Sequence, residues 1–183
     1  MTEPTTKVRR EERREERRKE WHKVWHLGDD IDTDALAPGV YMQHGVDVMA
    51  QHCLENVLPH FARDVKPGDI IVAGRNFGIG SSREQAAAVL VHLGIAAVIA
   101  PSYSGLYFRN AFNVGLLLLT CADAPLLQDG DRVSLDTQAP AVGAPDGRVL
   151  ACEPVPGFLM DMVRAGGLLN QLRQRAGKEP RHA

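Results

Sequence analysis

The chain has 183 residues, 44% of them hydrophobic, and a formal net charge of −2. It can therefore bury the core of one domain, and it has no general electrostatic attraction for nucleic acids or anionic membranes. No apolar stretch reaches the ~20 residues that a membrane-spanning helix needs, and the charged N-terminus lacks an apolar secretory segment. These features predict a cytoplasmic protein.

Composition divides the chain into three expected segments. Residues 1–20 form a charged extension that includes the run RREERREERRKE. This run has no apolar stripe that could dock on a core, so we expect a solvated, frayed or helical extension without a binding role. The folded domain is expected at 21–178, followed by a short tail at 179–183.

The first predicted elements surround an acidic turn. Residues 23–27 are predicted to form a short strand, and residues 28–34, with the sequence GDDIDTD, follow as a turn. Residues 46–63 are predicted to form a helix, because apolar side chains recur there near the helical period of 3.6 residues. These side chains are Val46, Met49, Ala50, Cys53, Val57 and Phe61.

The middle of the chain predicts a parallel pair of strands. Residues 69–74 (DIIVAG) and 95–100 (IAAVIA) are predicted to be buried strands. Between them, a loop rich in glycine and serine at 76–82 leads into a helix at about 83–93, with Gly94 as its C-cap. Strand, loop, helix and strand at this spacing indicate a parallel βαβ unit with a right-handed crossover.

The second half of the chain continues this alternation and then changes. A short helix is predicted around 107–113, a strand at 115–120, and two or three short strands after residue 129. A C-terminal helix is predicted at 158–175, with five side chains facing the core: Phe158, Met162, Leu168, Leu169 and Leu172. The predicted fold class is α/β with a partly parallel central sheet.

The cysteines are few and widely spaced: Cys53, Cys121 and Cys152. The sequence contains no CxxC and no mixed Cys/His cluster, so it indicates neither a zinc site nor an iron–sulfur site of its own. We expect buried, reduced thiols.

The segment most informative about function is GRNFGIGSSREQ at 74–85. It runs from the carboxyl end of a predicted strand to a helix N-terminus, where open α/β sheets bind ligands and backbone N–H groups favour anions. A phosphate loop would need a lysine that is absent, and a dinucleotide fingerprint would need a glycine in place of Arg83. Two interpretations stay open on the residues alone: a carboxylate-binding site, or a helix capped by Ser81 or Ser82.

Three blocks of sequence carry a resemblance to a known family. GRNFGIGSSREQA resembles the signature N-F/Y-G-x-G-S-S-R-E-H of the aconitase and isopropylmalate dehydratase superfamily. GDDIDTDALAPG at 28–39 is similar to its element with the pair T-D, and AVIAPSYSGLYFRNAFNVGLLL at 97–118 is similar to a third block. Their order and spacing match a stand-alone small subunit from about residue 21 to residue 175.

This resemblance implies a fold, a reaction and a partner. The fold is a swivelling β/β/α domain that closes over a 4Fe–4S cluster held by a separate large subunit, and this chain itself binds no cofactor. The reaction is that of a hydro-lyase, which isomerises a hydroxy-dicarboxylate by dehydration and rehydration and is active only with the large subunit. Neither nucleic acid nor membrane is an expected partner.

The resemblance also implies roles for single residues. Ser81 is the candidate base, acting as an alkoxide, and Arg83 suits a bidentate grip on a substrate carboxylate. Ser82 is expected to hydrogen-bond the substrate, and Asp34 corresponds to an active-site aspartate. For Asp29, Asp30 and Asp32 a local turn is the favoured interpretation, and for Arg109 and Asn110 structural bracing is favoured.

The chain departs from the family pattern at the signature. Gln85 stands where histidine is usual, and Ile79 stands where cysteine is common. The glutamine is expected to alter the hydrogen bonding that supports Ser81, whereas the isoleucine is expected to be neutral.

Residues 40–45 (VYMQHG) correspond to a loop that tunes substrate choice in the family. The loop has no arginine, so the third carboxylate of a tricarboxylate would lack a fixed cation. Tyr41 and Met42 are expected to line an apolar pocket, with Gln43 beside them and His44 as a proton-dependent contact. This composition favours an alkyl-substituted malate such as 3-isopropylmalate, a substrate of leucine biosynthesis.

Other functions stay open on the sequence. The substrate could be another alkylmalate, such as a methylmalate, or the chain could serve a homoaconitase. A non-catalytic interaction module with the same fold is a second class of function. A free-standing nucleotide-binding domain is disfavoured by the missing lysine and acid.

Overall fold

The computed structural model describes residues 20–176. The expected extension at 1–20, apart from Glu20, and the tail at 179–183 lie outside the described residues. The described strands are β1 (His22–His26), β2 (Ile70–Val72), β3 (Ala97–Ala100), β4 (Leu117–Thr120), β5 (Arg132–Asp136), β6 (Ala141–Gly143) and β7 (Val149–Ala151). The described α-helices are α1 (Thr33–Leu36), α2 (Val46–Gln51), α3 (Phe61–Asp64), α4 (Gln85–His92), α5 (Gly105–Val114), α6 (Gly157–Ala165) and α7 (Leu168–Ala176).

The strands form one sheet in the order β4-β3-β2-β1-β5-β6-β7. Strands β1 to β4 pair in parallel, and β5 to β7 continue the sheet in antiparallel pairs. Residues 70–72 of β2 lie opposite residues 97–99 of β3. The predicted parallel pair and the predicted α/β class with a partly parallel sheet are therefore confirmed.

The core lies on both faces of the sheet, because successive side chains of a strand point to opposite faces. On the face covered by the helices, side chains of all four parallel strands join one apolar cluster: Trp25, Ile71, Val98, Ala100 and Leu118. On the other face, a second cluster collects side chains from all seven strands, including Val24, Ile70, Ile99, Leu119, Val133, Val142 and Leu150. The sheet is thus curled around this second cluster.

The curl brings the two edges of the sheet together. The backbone N–H of Glu153, shortly after β7, donates to the carbonyl of Thr120 at the end of β4, with a distance of 2.8 Å.

None of the helices among residues 20–176 is long and apolar enough to cross a membrane.

The single helix predicted over 46–63 is wrong. The chain forms α2 and α3 instead, and between them Leu54 has a left-handed φ of +59°. The N–H of Leu54 donates to the carbonyl of Ala35 at 2.7 Å, so the break is tied to α1. The apolar period persists across the break because its members reach the same core, namely Met49, Ala50, Cys53 and Phe61, whereas Val57 is 44% exposed.

The single C-terminal helix predicted over 158–175 is also wrong. It breaks at Gly166 and Gly167, which have φ values of +72° and +105°. A Cβ on Gly167 would lie 2.6 Å from the carbonyl oxygen of Asn113, so the close approach to α5 requires glycine. Met162 is buried, but the predicted inward side chains Phe158, Leu169 and Leu172 are 65%, 67% and 49% exposed.

Candidate active site

The signature loop between β2 and α4 is paired with the acidic turn that follows β1. The N–H of Gly78 donates to the carbonyl of Ile31 at 2.7 Å, and the N–H of Thr33 donates to the carbonyl of Ile79 at 2.8 Å. Because β1 and β2 are parallel neighbours, the two segments leave the same edge of the sheet and can pair in this way. The T-D element and the signature therefore form one site.

Gly78 is the residue that lets the signature loop lie against the core. Its φ is +77°, and a Cβ at this position would lie 2.1 Å from Cγ of Tyr107. Tyr107 is fully buried in α5. Only glycine can adopt this conformation so close to the ring without displacing it.

Ser81 is exposed and lies against Thr33 at the start of α1. The N–H of Ser81 donates to Oγ1 of Thr33 at 3.1 Å, and the two hydroxyl oxygens are 3.2 Å apart. Because Oγ1 of Thr33 already accepts the amide, the Thr33 hydroxyl can donate its own proton to an ionised Ser81. Such a hydrogen bond favours the charged form of the serine.

Thr33 is a residue whose role the sequence interpretation missed. It is 2% exposed, and it is the threonine of the T-D pair, which is the signal that could have pointed to it. Only its neighbour Asp34 received a role from the sequence.

Arg83 and Asp34 form an ion pair beside these hydroxyls. Nη1 of Arg83 donates to Oδ1 of Asp34 at 2.5 Å and to the carbonyl oxygen of Ala37 at 3.0 Å. The N–H of Gly39 donates to the same carboxylate oxygen at 3.0 Å. The hydrogen bond from Arg83, and then the one from Gly39, lower the pKa of Asp34. The Arg83 side chain is 21% exposed, so solvent still reaches it.

The neighbouring aspartates have structural contacts, but only Asp32 makes the local contact that the turn interpretation expected. Asp32 accepts from the N–H of Ala35 at 2.7 Å and so caps α1. Asp29 accepts from the N–H of Arg75 at 2.7 Å. Asp30 accepts from the side-chain amide of Asn76 at 2.9 Å. Asp29 and Asp30 therefore attach the turn to the signature loop.

Neither serine of the signature caps the helix that follows. Helix α4 begins at Gln85, its N-cap is Glu84, and no side chain makes an N-cap hydrogen bond. The alternative interpretation of Ser81 or Ser82 as an N-cap is therefore wrong. Ser82 is exposed.

The third block of sequence contacts the signature loop from α5. The side-chain amide of Asn110 donates to the carbonyl oxygen of Ser82 at 3.1 Å, which is the kind of contact expected of a bracing residue. Arg109 is exposed.

The segment expected to tune substrate choice begins as a 3₁₀ helix over Gly39–Tyr41. The ring of Tyr41 stacks on His52, with centroids 3.7 Å apart, and His52 pairs with Glu55 at 2.7 Å. Met42, Gln43 and His44 are exposed, as is Val40 at 78%. Tyr41 is thus held against the domain, and the apolar side chains of Val40 and Met42 face solvent.

The described residues offer little to a metal ion. Among residues 20–176, no group of three or more His, Cys, Asp or Glu side chains could hold one. The thiols of Cys53 and Cys121 are buried and that of Cys152 is half-buried.

The fold and the site define an α/β domain that presents two hydroxyls, a guanidinium and a carboxylate at the carboxyl edge of a parallel sheet. The family model of the aconitase C-terminal domain matches residues 13–124. The chain therefore belongs to the aconitase C-terminal domain family, within the group of 3-isopropylmalate dehydratase and homoaconitase small subunits.

Similar proteins support this membership. The 3-isopropylmalate dehydratase small subunit 1 of Archaeoglobus fulgidus is 43% identical over 155 residues, which cover 82% of this chain and 96% of that protein. The methanogen homoaconitase small subunit of Methanocaldococcus jannaschii is 41% identical over 151 residues, covering 81% and 88%. A crystal structure of 3-isopropylmalate dehydratase from the latter organism matches with a TM-score of 0.81 and 39% identity, covering 85% of this chain and 94% of that one.

Proposed function

We propose that this chain is the small subunit of a hydro-lyase that isomerises an alkyl-substituted malate by dehydration and rehydration. The favoured reaction interconverts 3-isopropylmalate and 2-isopropylmalate in leucine biosynthesis. The chain acts in the cytoplasm with a large aconitase-type subunit that carries a 4Fe–4S cluster. The observation that supports this most is that Ser81 and Arg83 of the signature loop contact Thr33 and Asp34 of the T-D pair, while Ser81 and Arg83 stay open to solvent.

The iron–sulfur cluster is assigned to the large subunit. The donor set of this chain does not fit a cluster, because no group of three metal-ligating side chains occurs among residues 20–176 and such clusters are held by several cysteine thiolates. When bound by the partner, the cluster would supply a Lewis acid for the substrate hydroxyl. Proton removal and carboxylate binding are assigned to residues of this chain.

Ser81 is proposed to remove the proton alpha to a substrate carboxylate. A serine hydroxyl is a poor base at neutral pH, so its ionised form needs stabilisation. The Thr33 hydroxyl lies 3.2 Å away and can donate to it, and the positively charged Arg83 and the N-terminus of α4 favour negative charge nearby. When water adds back in the opposite sense, a proton is returned to the carbon that lost the hydroxyl, and this exchange of positions completes the isomerisation.

Arg83 is proposed to bind a substrate carboxylate. Its Nη1 is held by Asp34 and Ala37, which fixes the plane of the guanidinium while leaving the side chain partly exposed. A planar cation fixed in this way is suited to bidentate recognition of a carboxylate. Ser82 is exposed beside it and is proposed to hydrogen-bond the substrate.

The alkyl substituent is proposed to contact the loop at 40–45. Val40 and Met42 expose apolar side chains there, and no arginine or lysine lies in the loop to bind a third carboxylate. A homoaconitase-type substrate is the second candidate, because a relative that is 41% identical bears that name.

The proposal is tested by purifying the chain with its large subunit under anaerobic conditions. The complex is assayed against 3-isopropylmalate, shorter alkylmalates, citrate and homocitrate. We expect turnover of 3-isopropylmalate to exceed that of the tricarboxylates, and no turnover by either subunit alone. A complex that forms but converts none of these acids would favour a non-catalytic module. A preference for homocitrate would favour the second candidate.

A further inference from the structure

Two of the cysteines lie together where the edges of the curled sheet meet. Cys121 directly follows β4 and Cys152 directly follows β7, although these strands are at opposite ends of the strand order. The backbone hydrogen bond from Glu153 to Thr120, at 2.8 Å, joins the residues next to them. Cys121 is 1% exposed, and the half-buried Cys152 packs against the same apolar cluster. The pair therefore lies at a seam between β4 and β7.

The two thiols interact with each other. The Cys152 thiol donates to the carbonyl oxygen of Leu150 at 3.9 Å, and its sulfur lies close enough to that of Cys121 for the two groups to affect each other's ionisation. The neighbouring Cys152 thiol lowers the pKa of Cys121 to about 7. The neighbouring Cys121 sulfur and burial raise the pKa of Cys152. Within the pair, one thiol therefore ionises more readily than an ordinary cysteine and the other stays protonated.

This combination distinguishes the pair from the third cysteine. Cys53 belongs to the helix-side cluster, and burial raises the pKa of its thiol. A buried protonated thiol is unreactive, whereas a thiolate beside a second thiol is the arrangement found at redox-active cysteines. Cys152 is half-buried, so a water-sized oxidant can approach the pair from its side.

We propose that Cys121 and Cys152 are a redox-modification site, at which a hydroperoxide oxidises the pair to a reversible disulfide that joins the two edges of the sheet. The Cys121 sulfur attacks a peroxide oxygen, the O–O bond breaks, and the departing hydroxide takes a proton from solvent. The Cys152 sulfur then attacks the sulfenic acid of Cys121, the S–O bond breaks, and the Cys152 proton leaves with the hydroxide as water. The thiol pair loses two electrons, and one hydrogen peroxide becomes two waters.

The disulfide would enclose β5, β6 and β7 in a covalent loop. Cross-linking residues that are distant in sequence restricts the unfolded chain and so raises the stability of the folded one. The oxidised protein is therefore expected to melt several degrees above the reduced protein. A dithiol reductant would return the melting temperature to its original value.

The test treats the full chain with hydrogen peroxide and compares the wild type with Cys121→Ser, Cys152→Ser and Cys53→Ser. Free thiols are counted after denaturation, and linked peptides are identified by mass spectrometry. The wild type is expected to lose two of its three thiols, to give a peptide that links Cys121 to Cys152, and to react with a pH midpoint near 7. Cys53→Ser is the matched control and should form the same link, whereas the other two variants should form none.

Three results would overturn the proposal. These are three free thiols in the treated wild type, oxidation of Cys121 to sulfinic acid without a link, or a linked peptide that contains Cys53. Because Cys121 is buried, its serine variant can be poorly folded, so Cys152→Ser at the half-buried position is the deciding variant. A disulfide within the chain in Cys152→Ser would refute the assignment regardless of the behaviour of Cys121→Ser.

Discussion

Replacing Thr33 by valine removes one hydroxyl from beside Ser81 and keeps the shape of a side chain that is 2% exposed. The two hydroxyl oxygens are 3.2 Å apart, and a hydrogen bond to a charged group contributes about 1.5–3 kcal/mol. At about 1.36 kcal/mol for each factor of ten, turnover should fall roughly 10- to 150-fold. The pKa of Ser81 should rise, because a donor to the alkoxide has been lost.

The assay is the pH dependence of turnover by the complex with the large subunit. We expect the limb that reports ionisation of the base to move to higher pH in Thr33→Val. Thr33→Ser is the matched control: it keeps the hydroxyl and loses one buried methyl, so it should keep the wild-type pH profile while unfolding more easily by about 1 kcal/mol. Thr33→Val with turnover within about twofold of the wild type and an unchanged pH profile would refute this role for the threonine.

Other predictions concern the ion pair and the signature loop. Arg83→Lys should raise KM for the substrate about tenfold, because an ammonium cannot reproduce the planar fork; unchanged steady-state kinetics would count against the assignment. Since the pKa of Asp34 is lowered, its contact with Arg83 should persist from neutral pH down through the ordinary carboxyl range and be lost only as pH falls through the lowered pKa, as carboxyl NMR shifts can report. Gly78→Ala should unfold or destabilise the domain by several kcal/mol, because its Cβ would lie 2.1 Å from Tyr107. Gly105→Ala, where nothing lies within 4 Å, should leave the melting temperature nearly unchanged.

The parts of the fold that could be predicted are those encoded by local patterns. The apolar runs of β2, β3 and β4 are unbroken because these strands are buried on both faces, so their positions were visible in the sequence. The glycine- and serine-rich loop between β2 and α4 was visible because its residues are contiguous in the sequence.

The two helix breaks were missed in the sequence, and both are accompanied by contacts with distant residues. Leu54 takes a left-handed φ where its N–H meets the carbonyl of Ala35, and the apolar period continues across the break. Gly167 turns where the chain meets Asn113 of α5. The side-chain period gave no sign of the break at Leu54, whereas the glycine pair at 166 and 167 was a local sign of the second break.

The site was predicted only in part, because some of its residues are adjacent in sequence and others are brought together by the fold. The signature placed Ser81, Ser82 and Arg83 together because they are adjacent in sequence. The hydrogen bond between Ser81 and Thr33 joins the signature loop to the start of α1, so only the three-dimensional structure reveals it. The pairing of Cys121 with Cys152 depends on the curl of the whole sheet, and no local pattern records that curl.

The role of this chain as the source of the base is tested most directly by the turnover of Ser81→Ala in the assembled complex. Ser104→Ala is the matched control, since Ser104 precedes α5 and makes no side-chain cap hydrogen bond. We expect Ser81→Ala to assemble normally and to lose several orders of magnitude in turnover, while Ser104→Ala keeps nearly full activity. Turnover by Ser81→Ala close to that of the wild type would contradict the account.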